Sequence, residues 1–473
     1  MDNTSVIAAT LAARVGAMKN AHVHDGPASA ALRQDRLGRA AQLLIGHHAE
    51  LAAAISADYG HRSTYQSLLA DVLSSVGALR HAQASLTQWM QAEEQAVPGP
   101  GMQARIEYQP LGVVGIISPW NFPLNLAFSP LAGVLAAGNR ALLKPSELTP
   151  RTAGLLAELV ARYFDPLELG VVLGEAEVGA AFSAQAFDHL VFTGSGGVGR
   201  RVMRAAAENL VPLTLELGGK SPVLLDLDAD FGTAIERILT VKTFNAGQIC
   251  VSPDYLLVPQ AARETIVGHA RRFMAASFPT LQANPDYTAI VSDSHFARLQ
   301  NLLDDACARG ATAIGLQPAG EAQADPRTRK MAPTLLLDPS DDMMVMQEEI
   351  FGPILPVMTY TDPEQALAYI NSHPRPLAAY YFGQDAARQR RFSERTTSGA
   401  LVINDVMTHA SVETLPFGGV GPSGMGAYHG IHGFRRFSHA KAVVVQSADG
   451  QSNLRLRAPY PDSSTLIKSP AAA

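Results

Sequence analysis

From Gly112 onward, short apolar runs alternate with longer amphipathic stretches, and that alternation leaves few possible architectures. Val113–Ile117, Ala141–Leu143, Gly170–Leu173 and His189–Phe192 read as strands. Thr152–Arg162 and Gly199–Asn209 read as the helices between or after them. Apolar strands separated by helices predict a parallel sheet covered on both faces, the α/β class. A second such series runs from Val223 to about Ile403 and predicts a second α/β unit. With 473 residues, the chain is also too long for a single hydrophobic core.

Upstream, the pattern is helical. Leu32, Leu37, Ala40, Ala41 and Leu44 share one stripe, and Leu68, Leu69, Val72, Val76 and Leu79 share another. Pro98-Gly99-Pro100-Gly101 breaks this pattern. Ala104–Gln109 then alternates like a strand, with Arg105 and Glu107 on the face opposite Ile106 and Tyr108. After Pro461 an Ala/Ser/Pro-rich tail, 461–473, is expected to be loose.

Composition narrows the function classes. A net charge of −6 without a long basic run argues against a nucleic-acid or anionic-membrane surface. Two distant cysteines, Cys250 and Cys307, make no disulfide framework and fit a reducing compartment. No basic residue precedes the weak apolar stretch Val6–Ala13, so no signal peptide is expected. The stretch 126–137 is too short to span a membrane and contains Pro130. The expectation is a cytoplasmic protein with no bound metal.

Several segments could carry chemistry. Cys250 follows Asn245-Ala246-Gly247-Gln248-Ile249, small enough for close approach to a bound molecule; the alternative is a buried structural thiol. Cys307, inside the helical stretch 301–309, is expected to pack inward. Glu216 sits between two leucines ahead of Gly218-Gly219-Lys220; apolar neighbours would raise its pKa toward that of a base, unless Lys220 pairs with it. Asn121 lies in Ser118-Pro119-Trp120-Asn121-Phe122-Pro123, a rigid loop at a strand's carboxyl end. Its amide could stabilise an oxyanion or simply fill a turn. Gly194-Ser195-Gly196-Gly197-Val198-Gly199 has the G-x-G-x-x-G spacing of a pyrophosphate-binding turn, without a clear acid at the expected distance downstream.

Taken together, these segments resemble an aldehyde dehydrogenase over nearly the whole chain. The resemblance is carried by Ser118–Pro123, Lys144-Pro145-Ser146-Glu147, Phe192-Thr193-Gly194-Ser195, Leu215–Lys220, Asn245–Cys250, Glu349-Ile350-Phe351-Gly352-Pro353 and Leu415-Pro416-Phe417-Gly418-Gly419. Phe244–Cys250, Leu401–Met407, Pro416–Gly430 and Ser438–Lys441 further resemble the shorter, class-3-like branch, in particular bacterial coniferyl aldehyde dehydrogenases.

The resemblance implies NAD(P)-dependent oxidation of an aldehyde to the acid, with Cys250 as nucleophile, Asn121 holding the oxyanion and Glu216 as base. It implies that Trp120, Lys144, Glu147, Gly194, Ser195, Gly199, Glu349 and Phe351 bind the cofactor. Glu147 favours NAD, with NADP tolerated in this branch. Gly196-Gly197 departs from the larger polar residue often found there, so the turn is expected to be looser. Phe122 and Phe417 are expected to wall the substrate channel, with core packing as the alternative. The implied organisation is a Rossmann-type cofactor domain over 1–215 with part of 405–435, a catalytic domain over 216–405, and bridging strands at 96–110 and 430–450 that join a homodimer. A hydroxycinnamyl or other aromatic aldehyde is the expected substrate. A medium-chain aliphatic aldehyde, a CoA-acylating reaction and a non-catalytic binding protein are the alternatives; the acid at Glu216 argues against the second.

Overall fold

Strands with no polar alternation have no face to give to water, and those of this chain are buried on both sides. The computed structural model describes residues 3–97, 101–451, 453–460 and 462. Most of the expected tail at 461–473 and the Pro98–Pro100 part of the predicted break lie outside the described residues.

A small sheet comes first in the chain: β1 (Glu93–Gln95) and β2 (Met102–Pro110). The first large sheet contains β3 (Val113–Ile117), β4 (Arg140–Lys144), β5 (Leu169–Val171), β6 (His189–Thr193) and β7 (Leu213–Glu216). The second contains β8 (Ser221–Leu225), β9 (Pro253–Pro259), β10 (Thr312–Gly315), β13 (Thr334–Leu337), β14 (Ile354–Tyr360), β15 (Ala378–Phe382) and β16 (Ala400–Ile403). A short ribbon, β11 (Ala324–Asp325) with β12 (Lys330–Met331), stands apart. Finally β17 (Gly424–Met425) joins the first large sheet and β18 (Ser438–Gln446) the small one.

The first large sheet has the order β17-β7-β6-β3-β4-β5, parallel except for β17. The second has the order β10-β13-β14-β9-β8-β15-β16, parallel except for β10. This is the expected α/β architecture. Pairing of Ile117 with both Lys144 and Phe192, and of Thr193 with Glu216, brings four strand ends to one edge. In a parallel α/β sheet that carboxyl edge is where ligands bind.

Alternate residues of each strand feed opposite layers. Val113, Leu142 and Leu190 pack with Leu11, Val15 and Phe182, whereas Val114, Leu143 and Val191 pack with Leu131, Leu135 and Leu156. The helix Asn125–Ala136 is buried all round, as its lack of a polar face requires.

Strand β3 falls where expected, and the bounds of the other strands predicted before Gly194 shift by one or two residues. Three departures have physical causes. The helix expected at Gly199–Asn209 spans Gly196–Ala207, because Ser195 caps it by accepting from Val198 N. Leu69 is exposed, not on the inner stripe, because Leu68–Leu73 winds as a wide π turn that rotates it outward; Leu32 is exposed as well. Cys307 is exposed, not inward: Leu302, Leu303 and Ala306 occupy the buried face of its helix.

The small sheet joins β1, β2 and β18, with β18 antiparallel to β2 over nine paired positions. Its last strand begins at Ser438, and the residues just before it, Gly430–Arg436, are helical where a strand was expected. Among the described residues, no helix is long and apolar enough to cross a membrane.

Candidate active site

The backbone leading to Cys250 is bent into a conformation that only specific partners can hold. Asn245, Ala246 and Gly247 are successively left-handed, with φ of 49°, 50° and 72°. Each non-glycine residue in that region costs on the order of 1–3 kcal/mol. The Gln248 amide offsets part of this cost: it donates to Asn245 O at 2.9 Å and Ala289 O at 3.1 Å, and accepts from Val291 N at 3.0 Å. Asn245 N donates to Gln66 Oε1 at 2.9 Å. At Gly247 a side chain is excluded, since a Cβ would stand 2.5 Å from Gly352 O. The turn before Cys250 therefore lies directly against the Glu349-Ile350-Phe351-Gly352 loop.

Cys250 is half-buried, and its thiol is pushed up to about 12, first by burial and then by the negative charge of Glu349 and Glu216. A thiol needs a cation or a base beside it to ionise near neutrality. The charged groups that shift this thiol are two carboxylates, opposed more weakly by the backbone N–H groups of Cys250 and Val251.

Glu216 ends β7, buried, with neither carboxyl oxygen hydrogen-bonded to any protein group. Burial pushes its pKa well above the usual carboxylate range, against a weaker opposing pull from Arg436. The alternative of a salt bridge with Lys220 is overturned: Lys220 donates to Asp254, to Val345 O at 2.7 Å and to Glu348 O at 3.1 Å. The buried Tyr428, which sequence reasoning missed, lies where its phenol feels the charge of both Glu216 and Cys250.

Asn121 follows β3 and is buried. Its Nδ2 donates to Gln248 O at 3.2 Å, so the amide reaches across to the turn that carries Cys250. Its backbone oxygen is held by Arg62 Nη1 at 2.9 Å, Tyr59 Oη at 3.1 Å and Asn245 Nδ2 at 3.2 Å. Trp120, one residue earlier, meets Phe351 edge-on at 5.4 Å between ring centroids and His295 at 5.0 Å.

Glu349 has its carboxyl against the bare Cα of Gly218, where a Cβ would stand 2.0 Å from Oε2. Burial, then repulsion from Asp254, raises its pKa to about 8. Asp254 also fixes the loop, accepting from Ile350 N at 2.9 Å. Phe351 is left-handed, with φ of 51°.

A second cluster occupies the carboxyl edge of the first large sheet. Buried Lys144 donates to Pro145 O at 3.0 Å and to the partly exposed Glu147 at 3.3 Å. Ser195 and Gly197 are exposed at the start of the helix Gly196–Ala207, and a Cβ at Gly197 would meet nothing within 4 Å. Gly199, one turn in, is buried against Leu217 and serves helix packing. Ser118 Oγ and Thr193 Oγ1, at neighbouring strand ends, are buried without partners. Unpaired hydroxyls, a lysine and open backbone amides suit a phosphate- and ribose-bearing ligand lying along this edge.

Phe122 is buried beside Phe244, their rings stacked at 6.4 Å, and Phe417 lies near-parallel to His409 and His429 at 5.9 and 5.1 Å. Phe122 follows Asn121 directly, and Phe417 packs on Tyr428, whose phenol feels the charge of Cys250. The sequence reading passed over His409, His429 and Arg62 as well. An acid at Asp71 among the apolar residues of a helical stripe is the one signal that could have flagged the last.

A sequence profile described as "Aldehyde dehydrogenase family" matches residues 4–443. A coniferyl aldehyde dehydrogenase from a Pseudomonas species is 56% identical over 460 residues, covering 97% of this chain and 96% of that protein. The substrate-bound state of Staphylococcus aureus AldH superposes with a TM-score of 0.90 at 34% identity, covering 96% and 98% of the two chains. A Mycobacterium tuberculosis aldehyde dehydrogenase complexed with NAD+ gives 0.82 at 29% identity, covering 95% and 92%.

Proposed function

Because the chain belongs to the aldehyde dehydrogenase family, we propose that it oxidises an aromatic, hydroxycinnamyl-type aldehyde to the carboxylic acid through a thioester on Cys250. The observation that carries this reading is the desolvated pair of Cys250 and Glu216, each shifted upward, with Asn121 reaching across to the same turn. The Pseudomonas coniferyl aldehyde dehydrogenase, similar over nearly its full length, supports the substrate class.

The Cys250 sulfur adds to the carbonyl carbon, and the Asn121 amide hydrogen not given to Gln248 is available for the oxyanion. Preorganised donors of this kind are each worth about 3 kcal/mol of transition-state stabilisation. NAD(P)+ would supply the hydride acceptor and bring a positive charge into a pocket otherwise lined by carboxyls. Glu216 then takes a proton from the water that opens the thioester; its lack of protein partners leaves both oxygens free for that water.

Lys144, Glu147, Gly194 and Ser195 are assigned to the adenosine and pyrophosphate end of the cofactor, with Trp120, Glu349 and Phe351 at the nicotinamide end. The partly exposed Glu147 carboxylate suits ribose hydroxyls better than a 2′-phosphate, which favours NAD over NADP. Phe122 and Phe417 are assigned to the substrate channel. We assign 1–215 to the cofactor domain and 216–405 to the catalytic domain. Exposed Val444 and Val445 on β18 support a homodimer joined through the small sheet.

The test compares kcat/KM for coniferyl aldehyde, benzaldehyde and octanal with NAD and with NADP, with and without CoA. Hydrolytic oxidation with NAD, fastest on the hydroxycinnamyl aldehyde, is expected. A clear octanal preference overturns the substrate assignment, and acyl-CoA formation overturns the hydrolytic one.

A further inference from the structure

Asp71 is a fully buried carboxylate distant in sequence from every motif that marks the active site, and it does two jobs at once. Its Oδ2 accepts from Arg62 Nη2 at 2.9 Å. Its Oδ1 accepts from Leu124 N at 3.0 Å and Asn125 N at 3.3 Å. Neither side chain has any exposure to water. Burying an ion pair is expensive, and such pairs are weak contributors to stability unless their geometry is well satisfied. A place where two charges are sealed in the core therefore calls for an account beyond stability.

That account lies in what the pair holds. Arg62 Nη1 donates to the backbone oxygen of Asn121, while Asp71 takes the amides three and four residues later. The guanidinium itself sits 5.2 Å from the Tyr59 ring centroid and 5.0 Å from that of Phe122. The pair thus grips the loop 121–125 at its start and at its end. Tyr59 Oη adds a third hold, within donating distance of Trp120 O and Asn121 O. With its carbonyl fixed, the Asn121 amide is directed to the Cys250 turn.

We propose that Arg62 and Asp71 are positioning residues for catalysis, a two-sided clamp that sets where the Asn121 side chain stands relative to the Cys250 sulfur. They touch neither substrate nor cofactor and act through Asn121. The inference rests on the reading of Asn121 as the oxyanion donor.

The test is Asp71→Asn, alone and combined with Asn121→Ala. An asparagine has a single acceptor oxygen, so it can serve Arg62 or the Leu124 and Asn125 amides, but not both. Misplacing a catalytic group by about an ångström can lower a rate about 100-fold. The single variant is expected to lower kcat roughly 10- to 100-fold while the KM values for aldehyde and cofactor change less than about threefold. In the Asn121→Ala background, the same change is expected to have almost no further effect on kcat.

A purely structural role predicts the opposite: an equal loss in both backgrounds, in step with thermal stability. That result, or an unchanged kcat in Asp71→Asn, overturns the clamp. If Asn121→Ala alone leaves kcat intact, the oxyanion assignment fails and the clamp falls with it, a separate and recognisable failure. Should Asp71→Asn not fold, Arg62→Lys gives the same reading, since an ammonium keeps the charge without the two-pronged reach.

Discussion

Lys220 gives its ammonium to Asp254 and not to Glu216, which lies four residues before it in sequence. Strand β7 ends at Glu216, and Gly218-Gly219 turns the chain before Lys220, so the two side chains serve different neighbours. Glu216 is left as a buried acid with no cation within hydrogen-bonding reach.

The chemical consequence is separable by kinetics. Glu216→Gln is expected to release a rapid burst of NAD(P)H close to one per active site, followed by turnover slowed by at least about 100-fold. A stopped-flow trace at 340 nm checks this. Normal steady-state turnover in that variant would remove Glu216 from the base role.

The same burial sets a pH dependence. A base works only in its deprotonated form, and desolvation holds the Glu216 proton to higher pH than for an ordinary carboxyl. Thioester hydrolysis should therefore rise as pH increases, with its midpoint well above 4.5. Single-turnover decay of the acyl-enzyme between pH 5 and 9 gives the curve; a flat profile down to pH 5 contradicts it.

Cys250 offers a test without any substrate. Its thiol is pushed up to about 12, so it is almost wholly protonated near neutrality. In a Cys307→Ser background, iodoacetamide should react slowly at pH 7 and faster with each unit of pH up to at least 9. A plateau below pH 8 would mean that some group stabilises the thiolate in the cofactor-free protein.

Gly247→Ala probes the bent turn. The new methyl would meet Gly352 O at 2.5 Å, and the residue would have to keep a φ of 72°. We expect a loss of about 2–4 kcal/mol in stability, read from denaturant midpoints, together with a fall in kcat.

Glu147→Gln addresses the cofactor. Removing the negative charge while keeping the shape should raise the NADP-to-NAD ratio of kcat/KM severalfold, by relieving repulsion of a 2′-phosphate. An unchanged ratio would move cofactor discrimination elsewhere.

What the sequence made legible is what depends on local pattern. Val113–Ile117 has no polar residue to show to water, so its place inside a parallel sheet followed directly. Glu216 and Cys250 stood out because an acid or a thiol interrupted apolar or glycine-rich surroundings, and Asn121 because two prolines fix its loop at a strand's carboxyl end. Long-range effects were hidden. Nothing near Leu69 announces that the helix widens there and turns it outward. Cys307 and the residues packed inward on its helix differ by a fraction of a turn, beyond what periodicity resolves. Asp71 hints at a buried partner, but that the partner is Arg62 and that the pair holds the loop after β3 shows only once the helical layer is folded against that loop. The same holds for Tyr428, which reaches Glu216 and Cys250 from the far end of the chain.

Glu216 closes the last long strand of one large sheet, whereas Cys250 precedes the second strand of the other. The distance separating acid from sulfur is therefore not fixed within any single rigid layer but spans the seam between two. A small rocking of one layer on the other would widen or narrow that gap while leaving each sheet intact. Substitutions along the seam, remote from both groups, would then alter formation and hydrolysis of the acyl-enzyme together, since Asn121 follows a strand of the same sheet as Glu216.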